Sequence, residues 1–422
     1  MKRVKLYGVL AFAAMSLLMT ACSETSAETE IEMSAETQTE TQEETPEETL
    51  AGAQAEMQDE TETQTEEPPE MWNKTTMELV RDMGYGINLG NTFEAFGSWV
   101  DEWGDGSPQA YYTCWGSPVI TQEIIQGYAD EGFGVLRVPV HWFNLMDDDY
   151  NISDEYLEAV KESVEWALDA GMYVIVNIHH DEDEMFANFA VDKETSLAAY
   201  TKIWTQLAEA FRDYDDHLLL ESLNEEGCWD SLWNRWGGSA GKAQAYALLN
   251  EINQTFVDII RSSGGNNTWR HLLIAGYATD ISATCDAAFE MPDDPAGHCA
   301  VSVHYYTPST FTILEEDADW GKAVSTWGTD KDFKELYYYL DMMKSNYIDK
   351  GIPVIVGEYG CVKNNKDADS VRLYLSSVCR EAYERQMCPI LWDTTGSHYD
   401  RSSCKMIDQE LKANFQSVLE ES

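Results

Sequence analysis

From Met83 onward, short apolar runs alternate with stretches whose apolar residues recur at helical spacing. Eight runs read as buried strands: 84–89, 135–140, 173–178, 218–223, 271–275, 300–303, 353–356 and 389–391. Between them the helices show in their spacing. Leu197, Tyr200, Ile203, Trp204, Leu207 and Phe211 share one face, as do Phe333, Leu336, Leu340, Met343 and Tyr347. A helix–Gly–strand theme recurs in EGFGVLRVPV (131–140), AGMYVIVNI (170–178) and KGIPVIVGE (350–358). Glycine ends the helix there and a fully buried parallel strand follows at once. Eight strand–helix units in a row predict a single α/β domain, a (β/α)8 TIM barrel. The rival is a doubly wound open sheet, but no glycine-rich phosphate loop follows the first strand. The long segments 92–121, 226–242 and 307–329 are rich in Trp, Gly and Asp, as loops around a cleft at the barrel mouth would be.

The first 70 residues break this pattern. MKRVKLYGVLAFAAMSLLMTAC places Lys2, Arg3 and Lys5 before a short apolar core, an export signal too short to span a membrane. Met19-Thr20-Ala21-Cys22 resembles a bacterial lipobox, so residues 1–21 read as a lipoprotein signal peptide with Cys22 lipidated at the cell surface. A lipobox usually has Leu where Met19 stands, which keeps ordinary secretion as the alternative. Residues 23–70 hold 17 acidic residues and no Lys or Arg. So little apolar content predicts a disordered, self-repelling tether over 22–70.

Charge narrows the partners. The full chain is −49, the signal carries +3 and the tether −17, which leaves −35 on 71–422. Such a surface excludes nucleic acid and anionic membranes as partners, the lipid anchor apart, and suits a neutral polymer. Nothing in the pattern calls for a partner subunit, and a monomer is expected. Eight cysteines follow Cys22, with no metal-type spacing. An even number in an exported chain permits disulfides, but the sequence does not pair them.

Candidate chemistry collects at the predicted strand ends. These carry Asn88 and Asn91, then Arg137, His179-His180, Asn224-Glu225, His304-Tyr305-Tyr306, Glu358 and Trp392. Glu225 and Glu358 each follow an apolar run and would project into the barrel mouth, where two carboxyls can divide acid/base and nucleophilic work on a glycosidic bond. Singly, either is as well explained as a helix cap or a solvated loop charge. Their shared position with the other groups favours chemistry.

The segments GYGINLGNTFEA (84–95), VLRVPVHW (135–142), VIVNIHHD (174–181), LLLESLNE (218–225), VSVHYYTP (301–308), VIVGEYG (354–360) and ILWDTTG (390–396) together resemble the glycoside hydrolase family 5 cellulases, over roughly residues 80–400. The resemblance implies a retaining endo-β-1,4-glucanase acting on cellulose or related β-glucans without a cofactor. Xyloglucanase, mannanase and mixed-linkage specificities are the same-family alternatives, and a non-catalytic glycan-binding lipoprotein is the alternative of another class. It implies Glu225 as acid/base, Glu358 as nucleophile and Asn224 on the sugar 2-hydroxyl. Arg137 and Tyr306 would contact Glu358, and His304 would sit beside Glu225. His179 would bind hydroxyls and Trp392 would stack under the sugar, with Asn88 and His180 also lining the site. The family commonly has Asn-Glu-Pro, and Glu226 stands here in place of Pro, which opens the question of which glutamate is the acid. Strand alternation keeps Glu225 in register.

Other signals read as structural. His179-His180 lack further His or acid at zinc-site spacing, so no metal is expected. DDDYNISDEYLE (147–158) has alternating acids like a calcium loop, but Ile152 takes the place of the needed glycine, and Ser153 reads as a helix N-cap. Of 14 tryptophans, Trp166 and Trp204 lie on helical faces, whereas Trp99, Trp103, Trp115, Trp229, Trp233, Trp236, Trp320 and Trp327 fall in the mouth loops. Several are expected to stack on sugar.

A chain beginning near Glu70 should fold and hydrolyse soluble glucan at a rate close to that of the full-length protein. Loss of folding or of most activity in that truncation would show that 23–70 is more than a tether.

Overall fold

A computed structural model describes residues 69–180, 185 and 188–420. Cys22, the signal and all but the last residues of the acidic segment lie outside the described residues. Strands β1 (Gly86–Asn88), β2 (Val135–Val138), β3 (Tyr173–Asn177), β4 (Leu218–Glu221), β5 (Leu272–Asp280), β6 (Cys299–Tyr305), β7 (Val354–Tyr359) and β8 (Cys388–Leu391) pair in parallel and in sequence order. β8 then closes on β1, with Gly86 opposite Ile390. The barrel is closed, which rules out the open sheet. All eight expected runs are strands. β5 outruns its apolar run, because pairing resumes at Asp280 after a register shift, with Ala278 and Thr279 at positive φ.

Helix α1 (Thr76–Asp82) precedes the barrel, and α2 (Ser98–Trp103) and α3 (Pro108–Tyr112) lie in the segment after β1. The outer ring comprises α4 (Gln122–Asp130), α5 (Asp154–Asp169), α6 (Lys193–Ala210), α7 (Lys242–Ser262), the short α8 (Ile281–Thr284) and α9 (Ser309–Thr312), then α10 (Asp330–Asn346), α11 (Ala368–Glu384) and α12 (Gln409–Glu420). The expected faces of α6 and α10 point inward: Tyr200, Ile203, Trp204, Leu207, Leu336, Leu340 and Met343 are buried. Gly132, Gly171 and Gly351 take φ of 102°, 80° and 82° where the chain turns from helix to strand, the left-handed region that favours glycine.

Strand alternation builds two cores. Leu136, Val138, Val174, Val176, Leu218 and Leu220 face the helices. Val135, Ile175, Leu219, Leu273, Ile355 and Ile390 fill the lumen, with Leu79 and Val80 of α1 and the Met83 that follows it packed against them. One further step of two residues along β2, β3 and β4 puts Arg137, Asn177 and Glu221 above that apolar plug, on the lumen side. The floor of the site is therefore set by the strand period.

Several smaller readings are settled. Ser153 does occupy the N-cap position of α5, but its side chain makes no cap hydrogen bond. Asp147 Oδ1 accepts the backbone N–H groups of Asp149 (2.9 Å) and Asn151 (2.8 Å), a self-satisfied turn. All eight cysteines after Cys22 are free thiols. No described helix is long and apolar enough to cross a membrane.

Burial pushes His271 and His398 down to about 3. Each is neutral when folded but titrates near 6.5 when unfolded, so its contribution to stability is lost as pH falls through that window. His398→Phe should therefore gain about 2 kcal/mol relative to wild type between pH 6.5 and pH 4.5. Urea unfolding of both proteins at the two pH values reads this directly; an unchanged difference would mean that His398 is not held neutral.

Candidate active site

Arg137 is fully buried in the lumen and engages all three of its guanidinium nitrogens. Nε donates to Glu221 Oε2 at 2.7 Å. Nη1 donates to Glu358 Oε1 at 2.8 Å and to Asn88 Oδ1 at 3.0 Å. Nη2 donates to Asn224 Oδ1 at 3.0 Å. Burial alone would lower the pKa of Arg137, but the Glu221 and Glu358 carboxylates outweigh it and raise the pKa above its usual value. Ser302 Oγ donates to the other oxygen of Glu221 at 2.8 Å. Asn88 Nδ2 donates to the carbonyls of Gly357 (2.9 Å) and Leu391 (3.2 Å), which ties β1 to β7 and β8.

The two candidate carboxyls meet above this floor. Tyr306 Oη donates to Glu358 Oε2 at 2.9 Å, so both Glu358 oxygens have partners. Burial, with Glu358 beside it, raises the Tyr306 pKa well above the usual value and keeps it a donor. Glu225 Oε1 lies 2.7 Å from His304 Nδ1, which is also 3.6 Å from Glu358 Oε2. An oxygen of Glu225, one of Glu358 and a nitrogen of His304 all fall within 4.8 Å of one another. Burial lowers His304 to about 4 against the pull of Glu358, so the imidazole is neutral at neutral pH. Such a trio is also a donor set for a cation, but Arg137 and Tyr306 already engage Glu358 and His304 Nδ1 engages Glu225. Exposure separates the two acids: the Glu225 side chain is 31% accessible and that of Glu358 is 6%.

His179 is buried beside Trp392, their rings 5.8 Å apart and 3° from parallel. Asn177 Oδ1 accepts the Val140 N–H at 3.2 Å, which turns its Nδ2 toward His179 Nδ1, also at 3.2 Å. That assignment leaves the His179 proton on Nε2, free to donate to a hydroxyl. Burial first, then the neighbouring His180 and Arg137, hold the pKa of His179 well below the usual value. His180 packs against Phe96 and Trp115 on the β1 segment. Asn88, Arg137, His179, His180, Asn224, Glu225, His304, Tyr306, Glu358 and Trp392 thus gather at one end of the barrel, whereas Tyr305 turns outward onto Tyr339 of α10 and Tyr374 of α11. Glu226 does not join them: it is buried, and its charge bears on Tyr200 of α6.

Two groups were not legible as site residues. Glu221 and Ser302 hold the far side of Arg137. A glutamate within the apolar run LLLE was the available signal, since a charge buried in a strand must find a partner. The second group supports Trp392 from below. Asp393 accepts the N–H groups of His398 (2.7 Å) and Tyr399 (3.2 Å), and burial raises it to about 6 against the Arg401 charge. Buried Arg401 donates to the Gly90 carbonyl at 2.7 Å, Thr92 Oγ1 at 2.9 Å and Ser117 Oγ at 3.0 Å. The tryptophans divide. Trp327 packs on Phe333 and Tyr374 and Trp229 on Tyr277, so both belong to the core and not to the cleft surface, whereas Trp99, Trp103 and Trp236 are exposed.

A (β/α)8 barrel with two carboxyls this close at its mouth, one fixed by arginine and tyrosine and one by histidine, defines a glycoside hydrolase. The chain belongs to the cellulase family, glycosyl hydrolase family 5, whose profile matches residues 94–397. It is 36% identical to endoglucanase A of Ruminococcus albus over 351 residues, 79% of this chain and 90% of that one. It is 33% identical to a xyloglucan-specific endo-β-1,4-glucanase of Bacteroides ovatus, covering 79% of this chain and 68% of that one. Among solved structures, a GH5-4 broad-specificity endoglucanase from an uncultured bovine rumen ciliate superposes with a TM-score of 0.75 at 36% identity, covering 83% and 99% of the two chains. A family 5 lichenase from Caldicellulosiruptor sp. F32 gives 0.73 at 29% identity, covering 82% and 96%. The protein is accordingly an endo-1,4-β-glucanase-type hydrolase.

Glu221→Leu should destabilise the protein by about 3–5 kcal/mol, because it leaves Arg137 Nε buried without its carboxylate. Ser302→Ala, which removes one neutral donor, should cost about 1 kcal/mol. Urea denaturation measures both, and a Glu221→Leu loss no larger than that of Ser302→Ala would remove Glu221 from the foundation of the site.

Proposed function

We propose that the enzyme cleaves internal β-1,4-glucosidic bonds of cellulose-type and mixed-linkage β-glucans by double displacement, with Glu225 as acid/base and Glu358 as nucleophile. The observation that carries this reading is the approach of the two carboxyls, whose nearest oxygens lie within 4.8 Å. Retaining glycosidases hold their carboxyls about 5–5.5 Å apart and inverting enzymes about 6.5–9.5 Å, the larger gap admitting a water. Glu358 attacks the anomeric carbon and forms a glycosyl ester while Glu225 gives its proton to the departing glycosidic oxygen. Water then attacks that ester, Glu225 takes its proton, and the sugar leaves with β configuration.

The surroundings of each acid suit its part. Glu358 accepts from a guanidinium and a phenol, which stabilise the carboxylate required for attack. Glu225 is half open to the cleft and borders a neutral His304, so a proton can enter and leave. Asn224, turned by Arg137, would offer its amide N–H to the sugar 2-hydroxyl, and His179 its Nε2–H to another hydroxyl. Trp392, parallel to His179, would support the sugar at the cleavage point. The similarity to the Bacteroides ovatus enzyme supports xyloglucan as the second substrate to assay. Hydrolysis rates on lichenan, hydroxyethyl cellulose, xyloglucan, glucomannan and xylan separate these readings. Preference for mannan or xylan would overturn the glucan assignment.

Proton NMR of fresh products should show the β anomer first, before mutarotation. Glu358→Gly should lose turnover of natural substrate by a factor above about 10⁴, yet yield α-glycosyl azide from an activated β-cellobioside and azide. An α product from the wild type contradicts both the two-step route and the role of Glu358.

Export and lipid anchoring at Cys22 complete the proposal, supported by the leader residues alone. Cys22→Ala should move the protein from the membrane fraction to the soluble fraction, and unchanged partitioning would refute the anchor.

A further inference from the structure

The segment after β1 carries two tryptophans that neither the reaction nor the core accounts for. Trp99 is 46% exposed and Trp103 is 82% exposed, the latter an extreme value for an indole. They stand four residues apart on α2, so both project from one side of it, about 6 Å apart along the axis. That rise is comparable to the length of one sugar residue in an extended chain. Val100, between them in sequence, is buried and anchors the helix. Tyr111 of α3 adds a brace by donating to Asp101. A Cβ on Gly97 would fall 2.4 Å from the Trp99 ring, so the indole rests against a position that only glycine leaves open.

In the chain these indoles follow directly on an aromatic series that begins at the reaction centre. Trp392 lies parallel to His179, and His179 meets His180 at 4.3 Å. His180 lies 6.0 Å from Trp115, whose Nε1 donates to the Phe96 carbonyl at 2.8 Å. Phe96 is next to Gly97, and Trp99 follows. Trp236, exposed on the β4 segment, differs, because the Arg235 guanidinium covers it at 4.7 Å.

We propose that Trp99 and Trp103 form a distal platform for the β-glucan chain, gripping sugar residues well beyond the cleavage point and favouring long polymers over short oligosaccharides. The proposal rests on the glucanase reading above and adds a length preference to it. The chemistry favours a neutral sugar chain. Pyranose C–H faces pack on indole rings, and Asp101, Glu102 and Asp105 around the platform supply acceptors for hydroxyls while repelling anionic polymers. Two indoles ringed by acids are too small an apolar patch for a stable protein interface, which needs about 1,000 Å² or more.

Native-gel retardation by hydroxyethyl cellulose and kcat/KM on that polymer and on an aryl β-cellobioside test the platform in the full-length protein. Trp103→Ala should weaken retardation and lower the polymer-to-cellobioside ratio of kcat/KM by about threefold to tenfold, the scale of one aromatic contact. Gly97→Ala, which displaces the Trp99 ring without deleting it, should act in the same direction. Tyr338→Ala, an exposed aromatic on α10, should match the wild type. An unchanged ratio in Trp103→Ala, an equal loss on both substrates, or wild-type protein that the polymer does not retard would each overturn the platform. Retardation is read apart from turnover, so polymer binding without cleavage counts against the proposed reaction and leaves the platform standing.

Discussion

The site depends on one buried positive charge. Arg137 points into a lumen that water does not reach, so every N–H it carries needs an acceptor from the protein. Glu221, Asn88, Asn224 and Glu358 supply four of the five from three strands and a strand end. A guanidinium is planar and its donors are fixed in a fork, so engaging four of them at once leaves little freedom to any partner. Glu358 is thus held by the requirement to neutralise Arg137, and Asn224 is turned by the same group. The apolar layer beneath, from Val135 to Ile390, keeps this network in a low-dielectric setting where such bonds are strong and unpaired charges are costly.

From that fixed point the two acids diverge in the way a two-step displacement requires. The proposed nucleophile must keep a negative charge and a constant position, and Glu358 has donors on both oxygens and little exposure. The proposed acid/base must exchange a proton with a departing oxygen and then with water, and Glu225 is the more open of the pair. Its neighbour at 2.7 Å is His304, whose burial keeps it neutral. A charged imidazole there would favour the carboxylate form of Glu225 and oppose its start as an acid. The low pKa of His304 is therefore as much a part of the arrangement as the carboxyl itself.

Much of this was legible from period and position. Eight apolar runs gave eight strands, and residues at their ends gave the rim of the cleft, because a parallel barrel brings the C-terminal ends of all its strands to one face. Glu221, Ser302 and Arg401 were less legible because they act through other side chains, across sequence separations of 81 to 311 residues. Periodicity places a residue on a face but does not say which distant group will meet it. The tryptophans show the same boundary. Trp327 and Trp103 both lie in long segments after strands, yet one is packed under Tyr374 and the other stands in solvent, and local composition does not separate them.

Specificity must come from elsewhere than this frame. In the proposed reaction, Arg137, the paired acids and His304 deal only with features common to any β-linked pyranose: an anomeric carbon, a leaving oxygen and a 2-hydroxyl. They have little means of telling glucan with side branches from glucan without them. The long segments after β1, β4 and β6 are free of that burden, because they lie outside the closed hydrogen-bonded barrel and can change without disturbing Arg137. Their tryptophans can grip neutral sugar faces, while a −35 charge on 71–422 repels anionic polymers and keeps the surface solvated. A rigid buried charge network and an aromatic rim outside it are therefore separable parts of one fold. That separation explains how relatives with lichenase and xyloglucan-specific names share one barrel with this chain.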